Sequence, residues 1–381
     1  VSTEQDIIQT EIQGFNPESS STTFQDKVWQ PVSDRKIRIG IAGYGVCRMG
    51  SSFGFQDHPN VEIAAVCDVS AERCAELAIA CKCQRTYSSL EEMVKDHSLE
   101  AIFLGTDAPN HAQHAILCLN HGKHVACTVP AVFGSLEDAD RLYETVKKTG
   151  LEYMMFETSA YHAACYAMRV AYESGALGKI IYAEGQYYHY FPTPLASYGK
   201  WRTGIPPMWY PTHSTAYYVA VTGQSFTKVS CQGFRGQIPH FQPEANCYKN
   251  PFDSEVALFQ TSEGGSARMS VCWGMRGSAG ETGLVHGELG RMNGTSFSPE
   301  EDRPNLPDLS KPPLPPGMDA GGHDGSHGYL TNEFVTALLE NRTPLINIAL
   351  SLNMTVPGII AHQSALKDGE LLTVPQYSWP A

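Results

Sequence analysis

The sequence predicts an α/β chain in two parts: a doubly wound parallel sheet, then an α+β domain built on a large open, mostly antiparallel sheet. Three observations carry this. From Lys36 to Phe156, short apolar runs alternate with amphipathic stretches at the spacing of strand–helix–strand units. The first run meets Gly43-Tyr44-Gly45, and the second ends in Asp68. Beyond Ser174, strand-like segments follow one another with few helical patterns between them, as in an antiparallel sheet.

The elements follow in order. The run Ile37 to Ala42 delivers the chain to a tight turn made by Gly43, Gly45, Val46 and Cys47. Glycines there let backbone N–H groups approach a pyrophosphate, and a helix-compatible segment up to Pro59 points its positive end at that charge. Asp68, at the tip of the next run, suits the adenosine ribose hydroxyls and repels a 2′-phosphate. The pattern is that of a Rossmann dinucleotide site, with NAD favoured over NADP. One departure stands out: the third glycine of Gly-x-Gly-x-x-Gly falls at Arg48, and the nearest glycine is Gly50.

Ser70 is placed to cap a helix over residues 71–81, and Ser89 one over 90–95, with a short strand near 85–87 between them. A strand at 101–106, a helix at 111–120 and a strand at 124–129 come next. Ser135 and Asp138 begin a capped helix whose Leu136, Ala139, Leu142, Tyr143 and Val146 share one face. A strand at 152–156 closes the series. These patterns divide the chain into an arm (1–34), a dinucleotide-binding domain (35–157) and a second domain (158–381).

In the second domain a helix near 161–174 precedes strands at 180–189, 227–235, 255–261, 267–273 and 283–288. Pro304 to Gly317 reads as an extended loop, and Tyr329 to Glu340 as a helix ending before Arg342-Thr343-Pro344. The polar arm carries Ile7, Ile8, Phe15 and Trp29 as scattered anchors; a mobile segment and a segment packed on a neighbouring subunit fit it equally.

The chain has 381 residues and a formal net charge of −13, which argues against nucleic acid or an anionic membrane surface as partner. No apolar run approaches the roughly 20 residues of a membrane span. Eleven cysteines without framework spacing suit reduced thiols. Cys74, Cys81 and Cys83 lack a second pair at zinc spacing, so burial rather than a metal is expected of them. The first residue is Val1, not Met, which fits a removed leader and leaves cytoplasm and periplasm both open.

Four further signatures appear: Thr106-Asp107-Ala108-Pro109-Asn110-His111, His121-Gly122-Lys123-His124-Val125, Cys127-Thr128-Val129-Pro130 and Phe156-Glu157. With the dinucleotide site before them and the open-sheet domain after, the chain resembles the Gfo/Idh/MocA family of NAD(P)-dependent sugar oxidoreductases. The resemblance implies that Thr106, Asn110, His111, Val129, Pro130 and Glu157 lie around the cofactor, with Glu157 where cofactor and substrate meet. It also implies a homo-oligomer, dimer or tetramer, that covers the open sheet. Most members carry Glu-Lys-Pro where this chain has Thr128-Val129-Pro130; their lysine helps move the substrate's hydroxyl proton, and Val129 has no such chemistry.

Glu184-Gly185-Gln186-Tyr187-Tyr188-His189, Tyr210-Pro211-Thr212-His213 and Met154-Met155-Phe156-Glu157 are similar to segments of glycoside hydrolase family 109, the NAD-dependent N-acetylgalactosaminidases, which also have Val before that proline. This similarity implies that Tyr187, His189, Tyr210 and His213 line a sugar site and are the catalytic candidates, with Tyr329 as a looser match. Histidine and tyrosine can move protons without a lysine. Oxidation at C3 would acidify C2, the C1 substituent could leave, water could add, and the hydride could return. No flanking carboxylate pair is needed for that route. Three readings follow: a redox-neutral glycoside-processing enzyme, a sugar dehydrogenase in which His213 or Tyr187 replaces lysine, and a sugar- and NAD-sensing binding protein. His323-Asp324-Gly325-Ser326-His327 reads as a Gly-rich substrate loop rather than a metal site.

Overall fold

A computed structural model describes residues 28–45, 47–194, 200–277, 280–299 and 306–379. Most of the arm and Val46 lie outside the described residues. The first sheet has six strands in the order β3-β2-β1-β4-β5-β6. They are β1 (Ile37–Ala42), β2 (Val61–Cys67), β3 (Thr86–Tyr87), β4 (Ala101–Leu104), β5 (His124–Thr128) and β6 (Tyr153–Phe156). All pair in parallel, and the order reverses at β1, so the crevice beyond β1 and β4 is a topological switch point. Helices α1 (Ala71–Ala80), α2 (His111–Asn120) and α3 (Leu136–Thr149) connect the strands. The expected caps form: Ser70 accepts from Arg73 N–H, and Ser135 from Asp138 N–H at 3.1 Å. Cys74, Cys81 and Cys83 are buried free thiols.

The segment after Gly45 departs from expectation. It holds only a four-residue helix, Met49–Ser52, and a short 3-10 turn, Phe55–Asp57. Arg48 is left-handed (φ 56), so the turn runs two residues longer before the helix begins. Gly50 then takes the third-glycine role, because a Cβ there would lie 2.5 Å from Gly43 O and 3.1 Å from Leu77.

The second sheet has eight strands, ordered β13-β12-β11-β7-β10-β9-β8-β14. Its centre is β7 (Ile180–Tyr188), β8 (Phe226–Phe234), β9 (Ser254–Thr261), β10 (Ser266–Cys272) and β11 (Gly280–Gly287). Every pairing is antiparallel except β7 with β10, so the sheet is the mostly antiparallel one expected. The hairpin β12 (Gly290–Asn293) and β13 (Ser296–Pro299), and the short β14 (Leu372–Thr373), complete it. After α4 (Ala163–Glu173), two helices stand where no helix was expected: α5 (Thr212–Thr222) and α7 (Ile348–Ala365), with α6 (His327–Glu340) between them. All eleven residues of α5 are buried, so it carries no apolar stripe and no 3.6-residue signal. Helix α7 is nearly the same, with all but Leu350 and Gln363 buried, and it also contains Pro357, a residue that reads as a helix breaker.

Glycines set the depth of α5. A Cβ at Gly185 on β7 would lie 1.9 Å from Ser214 O, and one at Gly283 on β11 would lie 2.3 Å from the Tyr217 ring. On the other side, a Cβ at Gly358 of α7 would lie 2.1 Å from Met208 O. The helix therefore rests directly on the sheet backbone. A second anchor sits just before it: Glu255 of β9, fully buried, accepts from Met208 N–H at 2.7 Å and pairs with His362 of α7 at 2.7 Å. Gly185→Ala should lift α5 and destabilise the protein by about 1–3 kcal/mol, the range for overpacking a tight interface. Denaturant midpoints would measure this, and an unchanged midpoint would contradict the close-contact account.

Candidate active site

The two sheets meet at one cleft of about 370 Å³. Its cofactor side is formed by Gly45, Cys47, Thr106 and Val129 from the ends of β1, β4 and β5. Gly43 (φ 90) accepts no side chain, because a Cβ would lie 2.6 Å from Gly105 O; over Gly45 (φ 61) the space is open. Asp68 ties this turn to β2. Its Oδ2 accepts from Tyr44 N–H at 2.8 Å and Gly45 N–H at 3.3 Å, and its Oδ1 accepts from Ser70 N–H at 2.8 Å. Asp68 also edges a separate cavity of about 270 Å³ lined by Val69, Thr86, Tyr87 and Ser88. An open glycine cradle with a carboxylate and an apolar slot beyond it fits a dinucleotide, with adenosine toward Asp68.

The other expected cofactor residues divide. His111 is buried but lines the cleft; its Nδ1 and Nε2 lie 2.8 Å from Pro130 O and Thr106 O, and because burial lowers its pKa the neutral ring donates to one of them, bracing the ends of β4 and β5. Asn110 is exposed, and neither it nor Pro130, which follows a cis peptide bond, is among the residues lining the cleft. Val129 does line it, and its carbonyl accepts from the Tyr210 hydroxyl at 3.3 Å.

Glu157 and His213 form the chemical centre. Glu157 directly follows β6 and is fully buried; its Oε1 accepts from Ser159 N–H at 2.9 Å and from His213 Nδ1–H at 2.7 Å. His213 stands in the first turn of α5. Burial alone would depress its pKa, but the Glu157 charge, then that of Glu281, and the Glu157 hydrogen bond raise it to about 9. Burial likewise works against the Glu157 carboxylate, yet the His213 charge and hydrogen bond hold its pKa below the ordinary value. The pair is thus an imidazolium–carboxylate pair at neutral pH.

Around His213 stand the aromatic residues expected from sequence. The Tyr187 ring meets the imidazole edge-on at a centroid distance of 4.7 Å, and Tyr210 lies at 5.6 Å. Tyr187 is the buried parity of β7, while the Tyr188 hydroxyl bonds to Ser270 at 3.1 Å. His189 follows the strand, exposed toward the cleft, with Nδ1 3.4 Å from the Tyr187 hydroxyl. Partial burial, then the Arg202 charge, lower its pKa, so it is neutral at pH 7. Tyr329 instead stacks on Tyr161 at 5.7 Å and does not line the cleft.

Several lining residues carry no sequence signal of their role. Glu281 is the second residue of β11, a strand the sequence pattern begins only at Gly283, because residues 280–283 are too rich in glycine and polar residues to read as a strand. Arg202 lies over Trp201 and Tyr210, at 4.9 and 4.8 Å, and Trp201 Nε1–H donates to Asp107 at 3.2 Å. The 321–325 turn supplies His323, as a substrate loop would, but its Nδ1 pairs with His327 Nε2 at 2.7 Å. His327 itself packs on Phe53 and bonds to Ser52 O, which makes it structural.

Residues 37–157 match the family model of the Gfo/Idh/MocA group, described as an oxidoreductase family with an NAD-binding Rossmann fold. Glycosyl hydrolase family 109 protein 1 of Bacteroides fragilis is 28% identical over 162 residues, 40% of this chain and 35% of that protein. The 4-carboxy-2-hydroxymuconate-6-semialdehyde dehydrogenase of Sphingobium sp. is 30% identical over 126 residues, 33% of this chain and 40% of that protein. The match to the family 109 relative thus spans about a third of its length. Levoglucosan dehydrogenase, solved with NADH and levoglucosan, superposes with a TM-score of 0.73 at 17% identity, over 90% of this chain and 100% of that one. The fold is therefore that of levoglucosan dehydrogenase, and residues 37–157 match the model of an oxidoreductase family with an NAD-binding Rossmann fold.

The buried pair makes stability depend on pH. With a folded pKa raised from 6.5 to about 9, His213 contributes fully below 6.5, and that contribution is lost as pH rises through about 9. With a depressed pKa, Glu157 contributes above its ordinary 4.5, and that contribution is lost as pH falls below it. His213→Ala, which strands a buried carboxylate, should cost about 3–5 kcal/mol near pH 6.5. The gap to the native protein should narrow as pH climbs past 9. Denaturation at pH 6.5 and pH 10 checks this; equal gaps would contradict it.

Proposed function

We propose that this chain is an NAD-dependent glycoside-processing enzyme that cleaves a glycosidic bond without net redox, through transient oxidation at C3, elimination and water addition. The observation that carries this reading is that His213, held from behind by the buried Glu157, lines the same cleft as Val129: the position that holds lysine in most relatives has no proton chemistry, and a histidine from the other domain has it. The local similarity to glycosyl hydrolase family 109 proteins supports the same reaction class.

Bound NAD supplies hydride acceptance and return at the sugar. The protein's own groups must then move protons. His213 gives Nδ1–H to Glu157, so Nε2 is the nitrogen left for the sugar, and as an imidazolium it can donate to a departing C1 oxygen or steady an oxyanion. His189, neutral and beside the Tyr187 hydroxyl, can accept the C2 proton directly or through Tyr187. Tyr210, held to the Val129 carbonyl, shapes the wall between cofactor and sugar. Trp201 offers a flat apolar face of the kind sugar C–H groups pack on. Levoglucosan and scyllo-inositol dehydrogenases share the fold, and this favours one alternative, a sugar dehydrogenase with the same residues.

If the redox-neutral route operates, cleavage in D2O should place deuterium at C2 of the released sugar, and a C3-deuterated substrate should react more slowly. His213→Gln should lower turnover by roughly 10²–10⁴-fold, the range for a general acid–base group, with NAD still bound. Cleavage without deuterium at C2 would exclude elimination. Build-up of NADH and an intact 3-keto glycoside would establish the dehydrogenase instead.

Cofactor choice follows from Asp68. NAD should bind more tightly than NADP, and Asp68→Ala should weaken NAD by about 1–3 kcal/mol, the scale of a lost charge-assisted hydrogen bond. Titration calorimetry with both cofactors checks this; equal or tighter NADP binding by the native protein would refute it.

A further inference from the structure

His213 faces a second carboxylate. Glu281 is paired in register with Tyr187 of β7, and its Oε2 lies 3.7 Å from His213 Nδ1. The same oxygen accepts a short hydrogen bond from the Ser159 hydroxyl and lies 3.4 Å from His162 Nε2. Ser159 N–H meanwhile donates to Glu157. One turn, residues 157–162, thus supplies the first carboxylate on the imidazole and anchors the second. The Glu281 side chain is only 9% exposed, and such burial is costly for a carboxylate unless its charge is used.

We propose that Glu281 is a positioning residue: with Glu157 it flanks Nδ1 of His213, holding the ring in one orientation and keeping that nitrogen protonated, so that Nε2 is the one offered to a ligand. This rests on the acid–base role given to His213 above. The other groups facing the imidazole are Tyr187 from β7, Tyr210 and Arg202 from the segment before α5, and His162 and His323. Arg202 opposes the imidazolium charge, and Glu281 offsets that opposition. Ligand atoms of Glu157, His213 and Glu281 all lie within 4.8 Å of one another, a spacing a divalent cation could also use. The 2.7 Å Nδ1–Oε1 separation is a hydrogen-bond length, and so favours a proton there.

The test uses the NAD-loaded protein with ¹⁵N-labelled histidine, following the His213 ring resonances against pH in the native chain, Glu281→Gln and Ser159→Ala. The His213 midpoint should fall by about one pH unit or more in Glu281→Gln, the scale for losing a nearby opposite charge. It should fall by less in Ser159→Ala, which frees Glu281 without removing it and guards against misfolding of the first variant. NAD affinity should stay within about twofold in both. An unmoved midpoint in both variants overturns the proposal, as does a stoichiometric divalent metal in the native protein by elemental analysis. A lowered midpoint in a protein that cleaves no glycoside would support the positioning role while refuting the proposed function. Glycoside cleavage with an unmoved midpoint would do the reverse.

Discussion

The hydrogen bond between Glu157 and His213 is the interaction on which the rest of the site depends. Its two ends come from different sheets: Glu157 from the last strand of the parallel sheet, His213 from the helix lying on the open one. Neither charge is tolerable alone at that depth, and together they stabilise each other. The pair therefore sets the chemical state of the cleft and joins the two domains at the same point. Tyr210 to Val129 and Trp201 to Asp107 repeat the connection with neutral and half-exposed partners.

The cofactor half was largely legible in the sequence, because a doubly wound domain announces itself locally. Ser70 and Ser135 cap the helices they precede, and α2 has the limits expected of it. Where reading failed there, the reason was an insertion: two extra residues before Gly50 shorten the first helix to Met49–Ser52, and no periodicity reports that. His111 shows a different limit. A polar residue in a recognisable motif reads as a ligand contact, and His111 does line the cleft, but the motif does not report that its ring nitrogens also sit against carbonyls of neighbouring strand ends.

The second half was legible in its strands and not in its helices. Strands alternate, so only one parity of β7 can be buried, and the family resemblance points to the parity of Tyr187, which is the buried one. Helix α5 is buried on every side and α7 nearly so, and the pattern that marks a surface helix is missing from both. Glu281 was hidden for a third reason: its partners Ser159, His162 and His213 lie 122, 119 and 68 positions away in sequence, and only pairing of β11 with β7 brings it to them.

The contact of α5 with bare backbone has an evolutionary consequence. Gly185, Gly283 and Gly358 leave no room for any side chain at their contacts with Ser214, Tyr217 and Met208. The position of His213 is thus inherited through main-chain geometry, and point substitution can destroy it but can hardly tune it. Trp201 and Arg202, by contrast, belong to the partly exposed 200–203 segment at the other side of the cleft. Ligand preference can drift there while the charged pair beneath stays frozen, a division that lets one fold take new ligands without rebuilding its centre.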